Sequence, residues 1–104
     1  MDKKNFGYVL ASKLVGEKKM PVRFMYREKS EGSDSGWRFF AGIETQEYAD
    51  DPDNIGIYDV STIIAADGSI AEYLDHPAGT AFEREGVDGK FTLIPDFGFE
   101  PEEG

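Results

Sequence analysis

The sequence predicts an α+β domain: a small antiparallel sheet of about five strands with two or three short helices on one face. Three observations support this fold class. The 104 residues suffice for one domain, and 13% of them are aromatic, which favours a packed core over a disordered chain. Apolar and polar residues alternate near both ends of the chain, as in strands, whereas the middle carries helix caps. Strands, then helices, then strands again are typical of α+β proteins.

The N-terminal third predicts three strands. Residues 7–15 are apolar on both faces, which is typical of a central strand. Residues 22–28 place apolar side chains at every second position. The polar turn at residues 16–19 joins these two strands, so we expect an antiparallel hairpin. A polar loop then leads to a short strand of bulky side chains at residues 37–41.

Short helices are predicted in the middle of the chain. Residues 44–51 contain helix formers and end at a proline, which allows one or two helical turns. Asp59 is suited to cap a helix over residues 60–66. Residues 69–72 (Ser-Ile-Ala-Glu) match a capping box and predict a further helix that ends before the next proline.

The last third predicts a hairpin. The pair Asp88-Gly89 is the strongest short-range turn signal in the chain and is suited to a type I′ turn. With this pair at the tip, the side chains that share one face are those of Phe82, Arg84, Phe91 and Leu93. We therefore expect residues 1–94 to form a single globular domain and residues 95–104 to form an acidic C-terminal tail.

Charge is distributed unevenly along a chain whose net charge is −10. Residues 1–27 carry seven Lys or Arg against two acids, whereas residues 28–104 carry four against nineteen. No Lys or Arg occurs between Arg38 and Arg84, where ten acids lie. Such a field repels phosphate backbones, which disfavours nucleic-acid binding, and it attracts a basic protein. The alternative is that the acidity only keeps the protein soluble.

Candidate binding residues come from this acidic stretch and from the strand before it. The candidate acidic surface consists of Glu44, Glu47, Asp50, Asp51, Asp53 and Asp59. Trp37 and Arg38 are candidate interface anchors, because aromatic and arginine side chains are frequent hot spots in interfaces. The alternative is that Trp37 anchors the core and Arg38 pairs with a nearby acid.

No metal, cofactor or catalytic motif is expected. The chain has no cysteine, which excludes disulfides, thiolate metal sites and a cysteine nucleophile. A calcium loop that began at Asp51 would lack ligands at Ile55 and Thr62, so a polar turn is the better interpretation. The single histidine, His76, is either a general base oriented by Asp75 or a residue at a helix end. Adjacent helix positions do not face each other, which favours the second interpretation.

The sequence predicts a cytoplasmic protein. No apolar run approaches the ~20 residues that a membrane span requires, so we expect no membrane binding. The N-terminal residues do not match a secretory signal, because their apolar stretch is too short. The pattern predicts no particular oligomeric state.

Five blocks of the sequence resemble a known family. They are residues 7–13 (GYVLASK), 21–28 (PVRFMYRE), 34–42 (DSGWRFFAG), 51–64 (DPDNIGIYDVSTII) and 79–84 (GTAFER). Together they resemble the bacterial family of uncharacterised proteins grouped with immunity protein 33 of polymorphic toxin systems. The resemblance implies a non-enzymatic binding protein that neutralises a toxin by occluding it. It carries over no catalytic residues.

Two functions follow from the sequence. The first is an immunity protein whose acidic surface binds a basic protein toxin. The alternative is a small enzyme or ligand-binding domain that holds an anionic group with Arg27, Arg38 or Arg84. A binding protein is expected to expose its acids on one convex face, whereas an enzyme is expected to have a concave pocket where arginines and His76 converge.

Overall fold

One six-stranded sheet organises the computed structural model of the chain, which describes residues 7–30, 32–86 and 89–94. The strands are β1 (Tyr8–Ser12), β2 (Phe24–Arg27), β3 (Asp34–Phe40), β4 (Ile55–Asp59), β5 (Thr80–Glu83) and β6 (Thr92–Leu93). The α-helices are α1 (Lys13–Gly16), α2 (Gln46–Asp50) and α3 (Val60–Ala66), and 3₁₀ helices span Pro52–Asn54 and Gly68–Tyr73. The predicted α+β fold class is confirmed.

The strand order is β4-β1-β3-β2-β5-β6, and all neighbours are antiparallel except β1 and β3, which are parallel. The expected antiparallel sheet of about five strands is therefore corrected to a mixed sheet of six. The predicted hairpin of the first two strands is wrong, because β3 lies between β1 and β2. The chain leaves the sheet after Ser12 to form α1, and β2 then enters on the far side of β3.

Packing explains why the strand expected over residues 7–15 ends at Ser12. Val15 in α1 is fully buried in the core, so these apolar residues cover the sheet instead of extending it. A Cβ added to Gly16 would lie 2.1 Å from the ring of Tyr58 in β4. The glycine therefore lets α1 approach β4 more closely than any other residue would.

The hydrophobic core lies on the face of the sheet that α1, α3 and the 3₁₀ helix Gly68–Tyr73 cover. These helices contribute Val15, Ile63 and Ile70 to it, and all three side chains are fully buried. The strands contribute Val9, Ala11, Met25, Trp37, Phe39 and Phe82, and Ala41 follows β3 directly. The predicted placement of helices on one face holds for these three but not for α2, which has no buried residue and lines a groove together with Phe40 of the opposite face.

Three aromatic side chains lie on the opposite face of the sheet. The ring centroids of Phe24 and Tyr26 are 5.6 Å apart, and those of Tyr26 and Phe40 are 6.1 Å apart in a stacked arrangement. Their alternation with Met25 and Phe39 follows from the two-residue period of a strand. The sheet therefore carries apolar side chains on both faces in its centre.

The C-terminal strands pair in a register that differs from the predicted one. A two-residue turn at Asp88-Gly89 would place Thr92 opposite Glu85, whereas the structure pairs Thr92 with Glu83. The shift is even, so Arg84 still lies on the same side as Phe91, with its guanidinium 4.2 Å from the ring centroid. Asp88 and the expected tail at residues 95–104 lie outside the described residues.

Of the described helices, all except α1 begin at a side-chain cap. Asp59 accepts a hydrogen bond from the backbone of Ser61 and caps α3, as the sequence predicts. The helix expected from the capping box at residues 69–72 is instead a 3₁₀ helix that Asp67 caps. Asp67 precedes Ser69 by two residues, and its side chain accepts a hydrogen bond from the backbone N–H of Ser69. In a capping box this N–H would bond to the side chain of Glu72 instead.

Candidate functional site

Five acidic side chains lie on consecutive elements at one edge of the sheet. We call this surface the acidic edge; its members are Glu47, Asp50, Asp51, Asp53 and Asp59. They belong to α2, the 3₁₀ helix Pro52–Asn54, the residue between these two helices, and β4. All five are exposed. Five of the six acids that the sequence predicts for the binding surface are thus exposed on elements that follow one another along the chain.

Local hydrogen bonds fix the backbone that carries the acidic edge. Asp51 caps the 3₁₀ helix through a 2.9 Å bond from the N–H of Asp53. The amide of Asn54 donates to the carbonyl oxygen of Tyr48, at 3.0 Å, which ties the 3₁₀ helix to α2. Asp59 accepts bonds from both the N–H and the hydroxyl of Ser61. These carboxylates therefore stabilise local structure as well as supply charge.

Glu44 does not belong to the acidic edge. Its carboxylate accepts hydrogen bonds from the backbone N–H groups of Ala41 and Gly42, at 2.7 and 2.8 Å. It also accepts a 2.6 Å bond from the hydroxyl of Ser12, a fully buried residue. Glu44 therefore joins the end of β3 to the end of β1, and its oxygens are engaged within the domain. Its prediction as a binding residue gives way to this structural role.

Trp37 is a core residue and not a surface anchor. Its side chain is fully buried and stacks on Phe39 with 5.8 Å between ring centroids. The indole N–H donates to the carbonyl oxygen of Leu74 at 3.2 Å, which satisfies its only donor. A partner has no access to this ring, so the structure supports the core alternative for Trp37.

Arg38 forms a buried ion-pair network. Its Nη1 and Nη2 donate to the two oxygens of Asp34 at 2.8 and 2.9 Å, and its Nε donates to Glu28 at 2.7 Å. The bonds from Arg38 hold the pKa of Asp34 below its usual range. Burial opposes the charge of Arg38, but the two carboxylates outweigh burial and raise the pKa of the guanidinium. Arg38 therefore pairs with nearby acids, as the alternative interpretation states, and does not anchor an interface.

The arginines proposed to hold an anion are engaged in the same way. Arg27 donates to the carbonyl oxygens of Ser35 and His76 at 2.9 and 2.8 Å. Arg84 donates to the carbonyl oxygen of Val22 and forms a 2.6 Å ion pair with Asp67. Both guanidinium groups therefore donate hydrogen bonds to acceptors within the domain, as that of Arg38 does.

Two grooves lie on the described surface, and neither gathers arginines around His76. One of about 580 Å³ is lined by polar residues that include Arg27, Glu28 and Asp34. The other, of about 970 Å³, has Phe40 in its lining together with Glu83 and Glu85. His76 lines neither groove; its ring contacts Phe82 edge-on with centroids 5.0 Å apart.

The comparison with protein families decides the affiliation of the chain. The family model for the immunity protein Imm33 domain matches residues 9–94. This match covers most of the chain and includes every described strand except the first residue of β1. The chain belongs to the Imm33 immunity-protein family. A search of curated proteins and a search of solved structures found no significant match.

The Imm33 match covers the whole acidic edge, from α2 to β4. Within the described ranges of this Imm33 domain, no group of three or more His, Asp or Glu side chains is arranged to hold a metal ion. Asp51 and Asp53, which the calcium interpretation required as ligands, instead share a helix-capping bond. None of the helices in the described part of the domain is long and apolar enough to cross a membrane.

Sequence reasoning missed Asp67 and Ile57. Asp67 contacts Val22, Ser69 and Arg84, which come from three separate segments, and no local pattern signals such a contact. Ile57 is 67% exposed in β4, although the sequence gives it the appearance of a core residue. Only the strand order shows that β4 is an edge strand, and the sequence does not encode that order in any short motif.

Proposed function

We propose that this Imm33 domain is a non-enzymatic immunity protein that neutralises a basic protein toxin by binding it through the acidic edge. The observation that supports the proposal is the grouping of five exposed carboxylates on α2, β4 and the segment between them. The sequence from residue 39 to residue 83, which contains all five, has no Lys or Arg. The family supplies the immunity role, and the acidic edge supplies the surface.

Electrostatics explains how such a surface could occlude a toxin. A toxin that acts on nucleic acid needs a basic surface for the phosphate backbone. An acidic protein competes for that surface and is steered towards it, which raises the association rate. Carboxylates on one patch attract a basic partner towards that patch. The same charges spread over the whole protein would attract the partner without favouring one orientation.

The acidic edge is held in place before a partner arrives. β4 pairs with β1 through five residue pairs in regular register, and the caps at Asp51 and Asp59 fix the turns on either side. A surface whose backbone is already ordered loses little conformational entropy when it binds. This preorganisation favours binding by occlusion over folding on contact.

Binding explains the arginines better than catalysis does. Arg27, Arg38 and Arg84 donate to carbonyl oxygens or carboxylates within the domain. Arg27 and Arg84 also line grooves, but they line different ones, so the three arginines do not converge on one anion site. His76 lines neither of the two grooves described above. These contacts support a binding protein over a small enzyme.

Removal of charge from the acidic edge tests the proposal. The variant Asp51→Asn/Asp53→Asn removes two charges, and asparagine preserves the helix cap at residue 51. The control Glu83→Gln/Glu85→Gln removes two charges at exposed positions on and after β5, away from the acidic edge. The partner is an inactivated toxin domain that binds the unmodified protein, and surface plasmon resonance measures the association rate.

We expect the first variant to associate about tenfold more slowly at low salt, because two steering charges are lost. The control variant should associate within about twofold of the unmodified protein, since its charges lie elsewhere on the sheet. Equal slowing by both variants would show that only net charge matters. No slowing by either would remove the acidic edge from the interface.

A further inference from the structure

β4 is an open edge of the sheet. It pairs with β1 on one side, from Ser12↔Ile55 to Tyr8↔Asp59, and it ends the strand order. Among the described residues, no other strand or loop forms backbone–backbone hydrogen bonds with Gly56, Ile57 or Tyr58. Tyr8 donates its N–H to Ser33 on the β3 side, so Leu10 also faces β3, and the N–H and C=O of its partner Ile57 point away from β1. Among the described residues these two groups have no backbone partner, whereas the N–H of Ile55 donates to the carbonyl oxygen of Pro52.

This edge lacks the features that usually keep a strand from pairing. The pairing of β4 with β1 contains no bulge, whereas the register of β1 with β3 shifts between Tyr8 and Leu10. β4 contains neither lysine nor proline, the residues that most often block an edge. At its centre Ile57 is 67% exposed, the largest value among the exposed large hydrophobic residues of the described chain. A regular, apolar, unguarded edge is suited to accept another strand.

We infer that β4 accepts a strand of the toxin by β-augmentation, and this inference rests on the proposed function because it specifies how the acidic edge is used. The partner strand carries an apolar residue that packs on Ile57 and basic residues near both of its ends. Asp53 precedes β4 and Asp59 ends it, so a carboxylate lies at each end of the open edge. Main-chain bonds supply affinity, and the charges select a basic strand.

Charge argues against a second copy of this chain as the occupant. Two β4 strands paired antiparallel about Ile57 would bring Asp59 of each chain towards Ile55 and Asp53 of the other. Like charges placed opposite each other destabilise a strand pair. The total charge of −10 on each copy adds repulsion at longer range. A basic strand meets the same geometry with attraction.

Three short peptides with blocked ends test the inference. The first has seven residues, with valine at the centre, a threonine on either side of it and two lysines at each end; the second has the same sequence with alternate backbone nitrogens methylated; the third replaces lysine with glutamate. The methylated peptide keeps the charge but loses the donors that pair with a strand edge. Titration into isotope-labelled protein is followed by NMR of the backbone amides.

We expect the lysine peptide to shift the amides of residues 55–59 and to bind about tenfold more tightly than the methylated peptide, because backbone bonds supply the affinity. Ile57→Lys should weaken binding of the lysine peptide about tenfold, because it adds a like charge to the edge. Its matched control is Leu93→Lys. Leu93 is 53% exposed and lies in β6, at the opposite end of the strand order from β4. That control should bind as the unmodified protein does.

Each contrary result has a separate meaning. Equal binding of the methylated and unmethylated lysine peptides would overturn augmentation but leave the acidic edge as a binding surface. Equal binding of the glutamate and lysine peptides would contradict the charge selection of the proposed function. Absence of binding by the lysine peptide, or shifts confined to β6, would overturn the inference. A dimer in sedimentation experiments that Ile57→Lys dissociates would identify a second copy as the occupant.

Discussion

The side chain of Asp67 connects three separate segments of the fold. One carboxylate oxygen accepts from the N–H of Val22 at 2.9 Å and from Arg84 at 2.6 Å, and the other accepts from the N–H and hydroxyl of Ser69. The pair is nearly buried, with side-chain exposures of 4% for Arg84 and 10% for Asp67. A buried charge without its partner is costly, so both residues are expected to be sensitive to substitution.

Arg84→Met tests this ion pair directly. Methionine retains much of the side-chain volume but leaves Asp67 with an unpaired buried charge. We expect the free energy of unfolding to fall by about 3–5 kcal/mol, as for other broken buried pairs. Urea denaturation monitored by Trp37 fluorescence measures it. Lys18→Met, at an exposed position, is the control and should change stability by less than about 0.5 kcal/mol. A loss below about 1 kcal/mol for Arg84→Met would mean that the pair contributes little.

Asp34 is expected to make stability depend on pH. Hydrogen bonds from Arg38 lower the pKa of Asp34 in the folded state below its value in the unfolded chain. The folded state therefore gains stability from the ionised group above the unfolded pKa of about 4, and this gain is lost as pH falls through the lower folded value. The difference in unfolding free energy between the unmodified protein and Asp34→Asn should be constant near neutral pH and shrink in acid. Urea denaturation at several pH values measures it, and a constant difference down to pH ~2 would contradict the assignment.

At the scale of elements, local signals predicted local structure well. Asp59 caps α3 over residues 60–66, and the proline after residue 51 limits α2, because these features depend on neighbouring residues only. Strand pairing was predicted less well. The sequence of residues 7–28 is compatible with a hairpin. In the structure the chain instead leaves the sheet after Ser12, and Val15 in α1 is buried in the core.

In the candidate site, too, local features were predicted from the sequence, whereas long-range contacts were not. Five of the predicted acids lie on consecutive elements, from α2 through the 3₁₀ helix Pro52–Asn54 to β4. The sequence alone is therefore sufficient to group them. The burial of Trp37 and the pairing of Arg38 depend on Leu74, Glu28 and Asp34, and the choice among many carboxylates was not decidable from the pattern. The open edge at β4 required the strand order of the complete sheet.

Gly16→Ala tests how α1 docks on the edge strand. The new Cβ would lie 2.1 Å from the ring of Tyr58, so α1 or the ring must move. We expect a loss of about 1–3 kcal/mol, the usual cost of overpacking. Gly68→Ala is the matched control, since nothing lies within 4 Å of its added Cβ, and it should be neutral or slightly stabilising. Thermal denaturation compares the two, and an equal effect of both would contradict the close contact.

At the scale of the whole molecule, the uneven charge predicts a salt-sensitive encounter. Salt screens exposed charges over a distance of ~10 Å at 0.1 M ionic strength. We expect association with the inactivated toxin to slow by at least about tenfold between ~0.05 and ~0.5 M salt, while dissociation changes little. Stopped-flow kinetics measures both rates. The Asp51→Asn/Asp53→Asn variant should show a weaker salt dependence, and an association rate independent of salt would rule out electrostatic steering.

The protein is also expected to be insensitive to metal ions. The described side chains form no group suited to a metal, and the Asp51–Asn54 turn uses its carboxylate in a backbone cap. Calcium, magnesium and zinc at ~0.1 mM should shift the melting temperature by less than about 1 °C, since a ligand stabilises only the state that binds it. Differential scanning calorimetry with a chelator as reference measures this. A rise of several degrees with any of the three would identify a site that the geometry does not suggest.

The position of β1 between β3 and β4 also determines when the binding surface can form. β1 is synthesised early. The strands that flank it come much later in the chain: β3 begins at Asp34, and β4 ends at Asp59. Pairings between residues so distant in sequence form slowly, because the intervening chain must first be closed into a loop. β4 has no strand beside it in the described chain until β1 is in place. A nascent or truncated chain therefore lacks an ordered β4 edge, and the proposed binding of a toxin requires a molecule that has finished folding.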